Sequence, residues 1–294
     1  MTTSPHTLPN QTDGGPSADP VRFTDLLHVE PTAPDVFTAH CHAAVPGRAF
    51  GGQIAAHSLA AAGLTVDEDQ PPHSLHGYFV TAGRVGIPVD YTVERIRDGR
   101  SFATRLVRAT QEGRTVFTLQ ASFARPERTP EHGPDMPDAP APETLSVTAT
   151  LPHAVAGADI FEAVLETRSV GDPEGPLPGL GQGPRQQYWL RARPALPDSQ
   201  LLHACALTYM SDIQFALVSS LPHRHQPGIP QGASLDHSLW FHRPFRADDW
   251  LLMASDGPTY ACARGLARGQ LFTRDGVLAA SVTQEALSRR ITAP

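Results

Sequence analysis

The feature that most restricts this fold is a repeated order of elements. One helix that is apolar around most of its circumference is followed by a run of long strands, and the same order then recurs. In the first half, residues 50–63 are dominated by alanine and leucine and bracketed by glycines, which predicts a helix. A helix without a polar face has to be buried. Strands are expected at about 74–81, 86–97, 101–111 and 114–124, with Arg97-Asp-Gly99 and Gln111-Glu-Gly113 as turns. In the second half, residues 200–220 read as an apolar helix. Strands follow at about 233–243, 250–257, 260–273 and 276–287, with Arg274-Asp-Gly276 as the last turn. The segment starting at Gly113 matches the segment starting at Gly276, and Tyr78-Phe79 mirrors Trp240-Phe241. This order implies an α+β chain in which an antiparallel sheet wraps a central helix, twice.

The connection between the halves is of a different kind. Six prolines fall between Pro126 and Pro142, which rules out a helix or a central strand there. Up to about residue 184 the only helix expected spans 159–168, and the remainder reads as an extended surface crossover. The resulting division is a polar tail over 1–20, one unit over 21–125, a linker over 126–185 and a second unit over 186–294. The tail is rich in Thr, Ser, Pro, Asp and Gly, cannot bury enough apolar surface to offset its ordering entropy, and should be dispensable.

Composition prunes the chemistry. There is no lysine, all 23 basic residues being arginine, so Schiff-base chemistry, pyridoxal phosphate anchoring and a phosphate-loop lysine are excluded. The single asparagine, Asn10, lies in the tail. A net charge of −7 argues against a nucleic-acid partner. No apolar run reads as long enough for a membrane span, the N-terminus lacks the pattern of a signal peptide, and Cys41, Cys205 and Cys262 lie far apart. A cytoplasmic protein with reduced thiols and no metal site is expected.

Three polar residues sit where apolar ones would be natural. Asp212 interrupts the second apolar helix, among Leu207, Met210, Ile213, Phe215 and Ala216. It is either ion-paired with an arginine or facing a wet groove, or it orients a nucleophile as a general base. Gln284 shares a strand face with Leu278, Ala280 and Val282, so it points inward, either as a structural amide or as part of a site. Ser234 alternates with Asp236, Ser238 and Trp240 rather than with Leu235 and Leu239, and parity alone does not assign it to a site. It lies outside any Gly-x-Ser-x-Gly elbow, so a serine-hydrolase mechanism has no support. His57, His76, His237 and His242 form no metal-binding spacing, and His57, on the first apolar helix, is the one to test for a role in a site.

A series of segments then carries a resemblance: Phe50-Gly-Gly-Gln53, His73-Ser-Leu-His-Gly-Tyr-Phe79, Arg97-Asp-Gly-Arg-Ser-Phe102, Tyr209-Met-Ser-Asp212, Leu235-Asp-His-Ser-Leu-Trp-Phe-His-Arg-Pro-Phe245, and Asp275-Gly-Val-Leu278 with Gln284-Glu285. In this order, from about residue 22 to 290, the chain resembles the acyl-CoA thioesterase II (TesB-like) family. The resemblance implies a double hotdog fold and a catalytic set at Asp212, Ser234 and Gln284, with Ser where the family often has Thr. It further implies direct hydrolysis of acyl-CoA to fatty acid and coenzyme A by one held water, without cofactor or metal. Backbone N–H groups near a helix N-terminus, or side-chain donors, would hold the oxyanion. An acyl tunnel along the second helix and a homo-oligomer are also implied. Two alternatives stay open: a specialised pathway enzyme acting on carrier-bound thioesters or transferring the acyl group, and a non-catalytic acyl-binding module.

Overall fold

The structure, a computed structural model, describes residues 21–148, 157–171 and 184–291, and the tail lies outside them. Chain order begins with a short helix α1 (Phe23–Leu27), strands β1 (Glu30–Ala33) and β2 (Val36–Ala39), and a small hairpin β3 (Ala43–Val45) and β4 (Arg48–Ala49). Helix α2 (Gly51–Gly63) then precedes β5 (Pro72–Phe79), β6 (Val89–Asp98), β7 (Phe102–Gln111) and β8 (Arg114–Ala124). After the proline-rich stretch come α3 (Ala158–Val164), β9 (Leu165–Ser169), β10 (Arg185–Ala192) and α4 (Gln200–Ser211). The chain closes with β11 (Ile229–Ser234), β12 (Asp236–Phe241), β13 (Leu251–Ala261), β14 (Arg264–Thr273) and β15 (Leu278–Ile291).

Thirteen of these strands form one antiparallel sheet in the order β1-β2-β6-β7-β8-β5-β12-β15-β14-β13-β10-β9, with β11 also on β15. The seam between the halves is the β5–β12 pair, where Leu75 lies opposite Leu239 and Ser74 opposite Trp240. The sheet curls around α2 and α4. All of α2 from Gly52 to Ala62 is buried, as its lack of a polar face requires. The two helices pack antiparallel. A Cβ on Gly52 would stand 2.8 Å from the Tyr209 carbonyl oxygen, and one on Gly63 would stand 2.4 Å from Leu201 Cδ1. Thus the N-terminus of α2 meets the C-terminus of α4. This is a double hotdog.

Several expectations are corrected. The second apolar helix stops at Ser211, where 200–220 was expected. Gln214 takes φ of +61°, and a 3-10 turn runs over Phe215–His223. Tertiary bonds of Asp212 override local helix propensity there. The combined stretch Gln200–His223 is long and apolar enough by composition to cross a bilayer, against the reading that no such run exists, but two-thirds of its most apolar window is buried inside this fold. The helix expected over 159–168 ends at Val164, and its remainder is β9, hydrogen-bonded to β10. Pairing with β10 and the ion pairs of Glu166 with Arg168 and Arg191 hold these residues as an edge strand, contacts that a local helix reading does not register. At Gln111-Glu-Gly113, Glu112 and Gly113 both have positive φ, as a two-residue type I′ hairpin demands. The expected strand at 233–243 is broken at Leu235, with consequences for the site.

Candidate active site

The site forms where the N-terminus of α2 lies beside the C-terminus of α4. Asp212 caps the C-terminus of α4, and its backbone N–H returns to the Met210 carbonyl. Its Oδ1 accepts a 2.5 Å hydrogen bond from Gln284 Nε2 and a 3.4 Å bond from Ser234 Oγ. The backbone N–H of Gly52, in the first turn of α2, donates to the same carboxylate. Those first-turn N–H groups lack intrahelical partners, and they carry the positive end of the helix dipole. The chain can approach this closely only without side chains. A Cβ on Gly51 would lie 2.9 Å from the Phe79 ring and 3.2 Å from Asp212 Oδ2. The start of α2 is fixed by rings: Phe50 meets Tyr209 edge-on at 4.9 Å and Phe161 of α3 at 5.0 Å, while the Tyr209 hydroxyl bonds His42 Nε2 at 2.7 Å.

Burial dominates the electrostatics here. It pushes the Asp212 carboxyl up to about 6, against the lowering effect of its bonds from Gln284, Gly52 and Ser234. Gln284 is fully buried, and its Oε1 has no donor among the described residues. An enclosed acceptor of this kind calls for a small donor molecule. Beside it, His237 is fully buried, and burial lowers its pKa to about 3, so the ring is neutral. Ser211 Oγ donates to the Thr208 carbonyl, so the 2.9 Å bond to His237 Nε2 has the imidazole as donor, and Nδ1 is left as an acceptor without a donor among the described residues. A cavity of about 20 Å3 adjoins the loop after Asp212, lined in part by Met210, Ile213, Gln214, Tyr188 and Thr167. A larger, mainly apolar cleft of about 850 Å3 borders α4 at Leu201, Leu202 and Cys205, toward the end of the helix opposite Asp212.

All three sequence-predicted residues therefore converge. For Ser234 the alternation rule had grouped it with Asp236, Ser238 and Trp240, and the break at Leu235 puts it on the other face instead. Sequence reasoning missed His237, whose parity with the fully buried Leu239 was the available signal. His57 is in the first unit and is satisfied: Nε2 donates to the Leu26 carbonyl at 2.7 Å and Nδ1 accepts from the Tyr91 hydroxyl at 3.0 Å. His76 and His242 bond Ser238 and Ser281 on the exposed side of the sheet.

A desolvated carboxylate, an amide and a hydroxyl thus meet a helix N-terminus in a double hotdog, a polar centre of the kind a hydrolase uses. A family model described as acyl-CoA thioesterase matches residues 165–287, and one described as the acyl-CoA thioesterase N-terminal domain matches residues 38–124. Acyl-coenzyme A thioesterase 8 of Homo sapiens is 39% identical over 94% of this chain and 92% of its own length. Acyl-CoA thioesterase 2 of Haemophilus influenzae is 36% identical over 82% and 87%. The crystal structure of acyl-CoA thioesterase II TesB2 from Mycobacterium marinum superposes with a TM-score of 0.80 at 39% identity, covering 92% of this chain and 99% of that one. The chain belongs to the TesB-like acyl-CoA thioesterase family of thioester hydrolases.

Proposed function

We propose that this chain hydrolyses acyl-CoA by direct attack of a single water held by Asp212, Ser234 and Gln284. The observation that carries this reading is the convergence of the three side chains, from the end of α4, from β11 and from β15, on one desolvated carboxylate. The water donates one proton toward Asp212 and the other toward Gln284 Oε1, while the Ser234 hydroxyl fixes its position. A carboxyl poised at about 6 is ionised at neutral pH yet is a stronger base than a solvated aspartate.

As the water oxygen bonds to the thioester carbon, Asp212 takes its proton. The carbonyl oxygen gains negative charge, which the first-turn N–H groups of α2 other than that of Gly52, already taken by Asp212, are available to stabilise. Collapse of the tetrahedral intermediate breaks the C–S bond, and the proton held by Asp212 leaves with the thiolate or with solvent. The neutral His237 beside this centre adds no competing charge.

Pre-steady-state measurement of thiol and acid release from acyl-CoA tests the reading. Simultaneous release, with one 18O from labelled water in the acid, is expected. A burst of coenzyme A ahead of the acid would reveal an acyl-enzyme and overturn direct attack. Running the same assay on carrier-protein thioesters separates coenzyme A from carrier-bound substrates.

A further inference from the structure

The break between β11 and β12 is a β-bulge held by a side chain. Ser234 pairs with Ala286 of β15, and Ser238 pairs with Thr283. Four residue steps on one strand thus face three on the other, so one extra residue is inserted opposite Glu285. At that point Leu235 N–H donates to the Glu285 carbonyl at 2.9 Å. The reciprocal donor, Glu285 N–H, goes instead to Asp236 Oδ1 at 2.7 Å. A carboxylate therefore replaces the backbone acceptor that an uninterrupted ladder would supply.

The inserted residue changes which face each side chain meets. Strict alternation would send Ser234 outward with Asp236, Ser238 and Trp240, the last of which is exposed. With the bulge, Ser234 joins the inward set of His237 and Leu239 and reaches Asp212. The same bond also grips β15 at the residue after Gln284. Asp236 thus stands two residues beyond one water-holding side chain and is bonded to the neighbour of another.

We propose that Asp236 is a positioning residue for hydrolysis: its carboxylate stabilises the bulge that turns Ser234 inward and fixes the peptide following Gln284. The inference rests on the assignment of Ser234 and Gln284 to the water. Asp236 itself lies on the other face of the strand and touches neither water nor thioester.

The test compares Asp236→Ala, Asp236→Asn and Ser234→Ala, alone and combined, with Asp212→Asn in parallel. Asp236→Ala should lower kcat roughly 10- to 100-fold, since displacements of about 1 Å carry penalties of that order, with KM within about threefold of the parent. Asp236→Asn keeps an acceptor oxygen and should recover most of the loss. Adding Asp236→Ala to Ser234→Ala should cost much less than it does alone, because part of its effect acts through Ser234. A folded Asp236→Ala protein with parental kcat would overturn the proposal, as would full additivity with Ser234→Ala. If Asp236→Ala does not fold, Asp236→Asn decides through the same kcat and additivity measurements. Its neutral amide oxygen is a weaker acceptor for Glu285 N–H than the carboxylate, so a small kcat deficit should remain and should shrink in the Ser234→Ala background, and either parental kcat or a deficit that persists there undiminished would overturn the proposal. Near-native activity of Asp212→Asn would instead refute the water-holding assignment, an outcome distinct from either.

Discussion

The two hotdog units are built alike but differ in how they treat buried polar groups. In the first unit, Gln53 is buried with its Oε1 accepting from the His42 N–H and its Nε2 donating to the Leu26 carbonyl. His57 and Tyr91 likewise partner each other. In the second unit lie Tyr188 Oη, His203 Nε2, His237 Nδ1 and Gln284 Oε1, buried side-chain atoms without a partner among the described residues. Unpaired buried groups cost about 1–3 kcal/mol each, so a fold tolerates them where they serve chemistry or ordered water. One unit uses its polar groups to hold its own shape, and the other keeps some of them available. Four such atoms also caution against equating orphan with catalytic, because His203 is far along α4 from Asp212.

The strongest attempt to break this contrast is Asp212→Asn. It keeps the shape and removes the base, so kcat should fall roughly 10²- to 10⁴-fold. Stability should move the other way. Burial raises the Asp212 carboxyl to about 6 in the fold from an ordinary 3.8, so the folded chain holds that proton more tightly than the unfolded one. Ionisation therefore costs the fold nothing well below pH 4, a growing amount between, and its full amount above about pH 6. Asn escapes that cost. The melting temperature of Asp212→Asn should equal or exceed the parent's at pH 8, with the advantage shrinking toward pH 4. A variant that melts lower at both pH values would make Asp212 structural.

Gln284→Ala comes next, with kcat reduced roughly 10- to 100-fold and an effect far from additive with Asp212→Asn, because both act on one water. The control from the first unit is His57→Ala. It should lower unfolding free energy by about 1–3 kcal/mol through loss of the buried bonds from His57 to the Leu26 carbonyl and the Tyr91 hydroxyl, with the Leu26 carbonyl still accepting from Gln53 Nε2 and kcat per folded molecule unchanged. A drop in kcat at full folding would erase the contrast between the units. Smaller still is the pH response of the parent enzyme: kcat/KM should decline about tenfold from pH 7 to pH 5 with a midpoint near 6, since the base must be ionised. Smallest is Ser234→Thr, which retains the hydroxyl and should stay within about twofold of the parent.

Much of this arrangement was legible in the chain. Apolar helices and hairpin signals gave the duplicated order, because helix circumference and strand alternation report burial directly. Asp212 and Gln284 stood out as polar residues on apolar faces. What escaped were features set by contacts distant in sequence. Alternation is a local rule, and the bulge at Leu235 that inverts it is held by β15. The end of α4 at Ser211 depends on bonds from Gly52, Ser234 and Gln284 to Asp212, none of which a helix propensity can register. Strands β9 and β10 escaped because they flank proline- and glycine-rich sequence that reads as connection.

The bare backbone at Gly51-Gly52 has a consequence for how such a chain can change. The half that contributes no reacting side chain contributes the peptide groups against which the carboxylate rests. A substitution deep in the first unit that tilts α2 by a fraction of an ångström is felt at the base in the second. The two halves of a duplicated chain are thus bound to change in concert, and neither half, expressed alone, would contain a whole reaction centre.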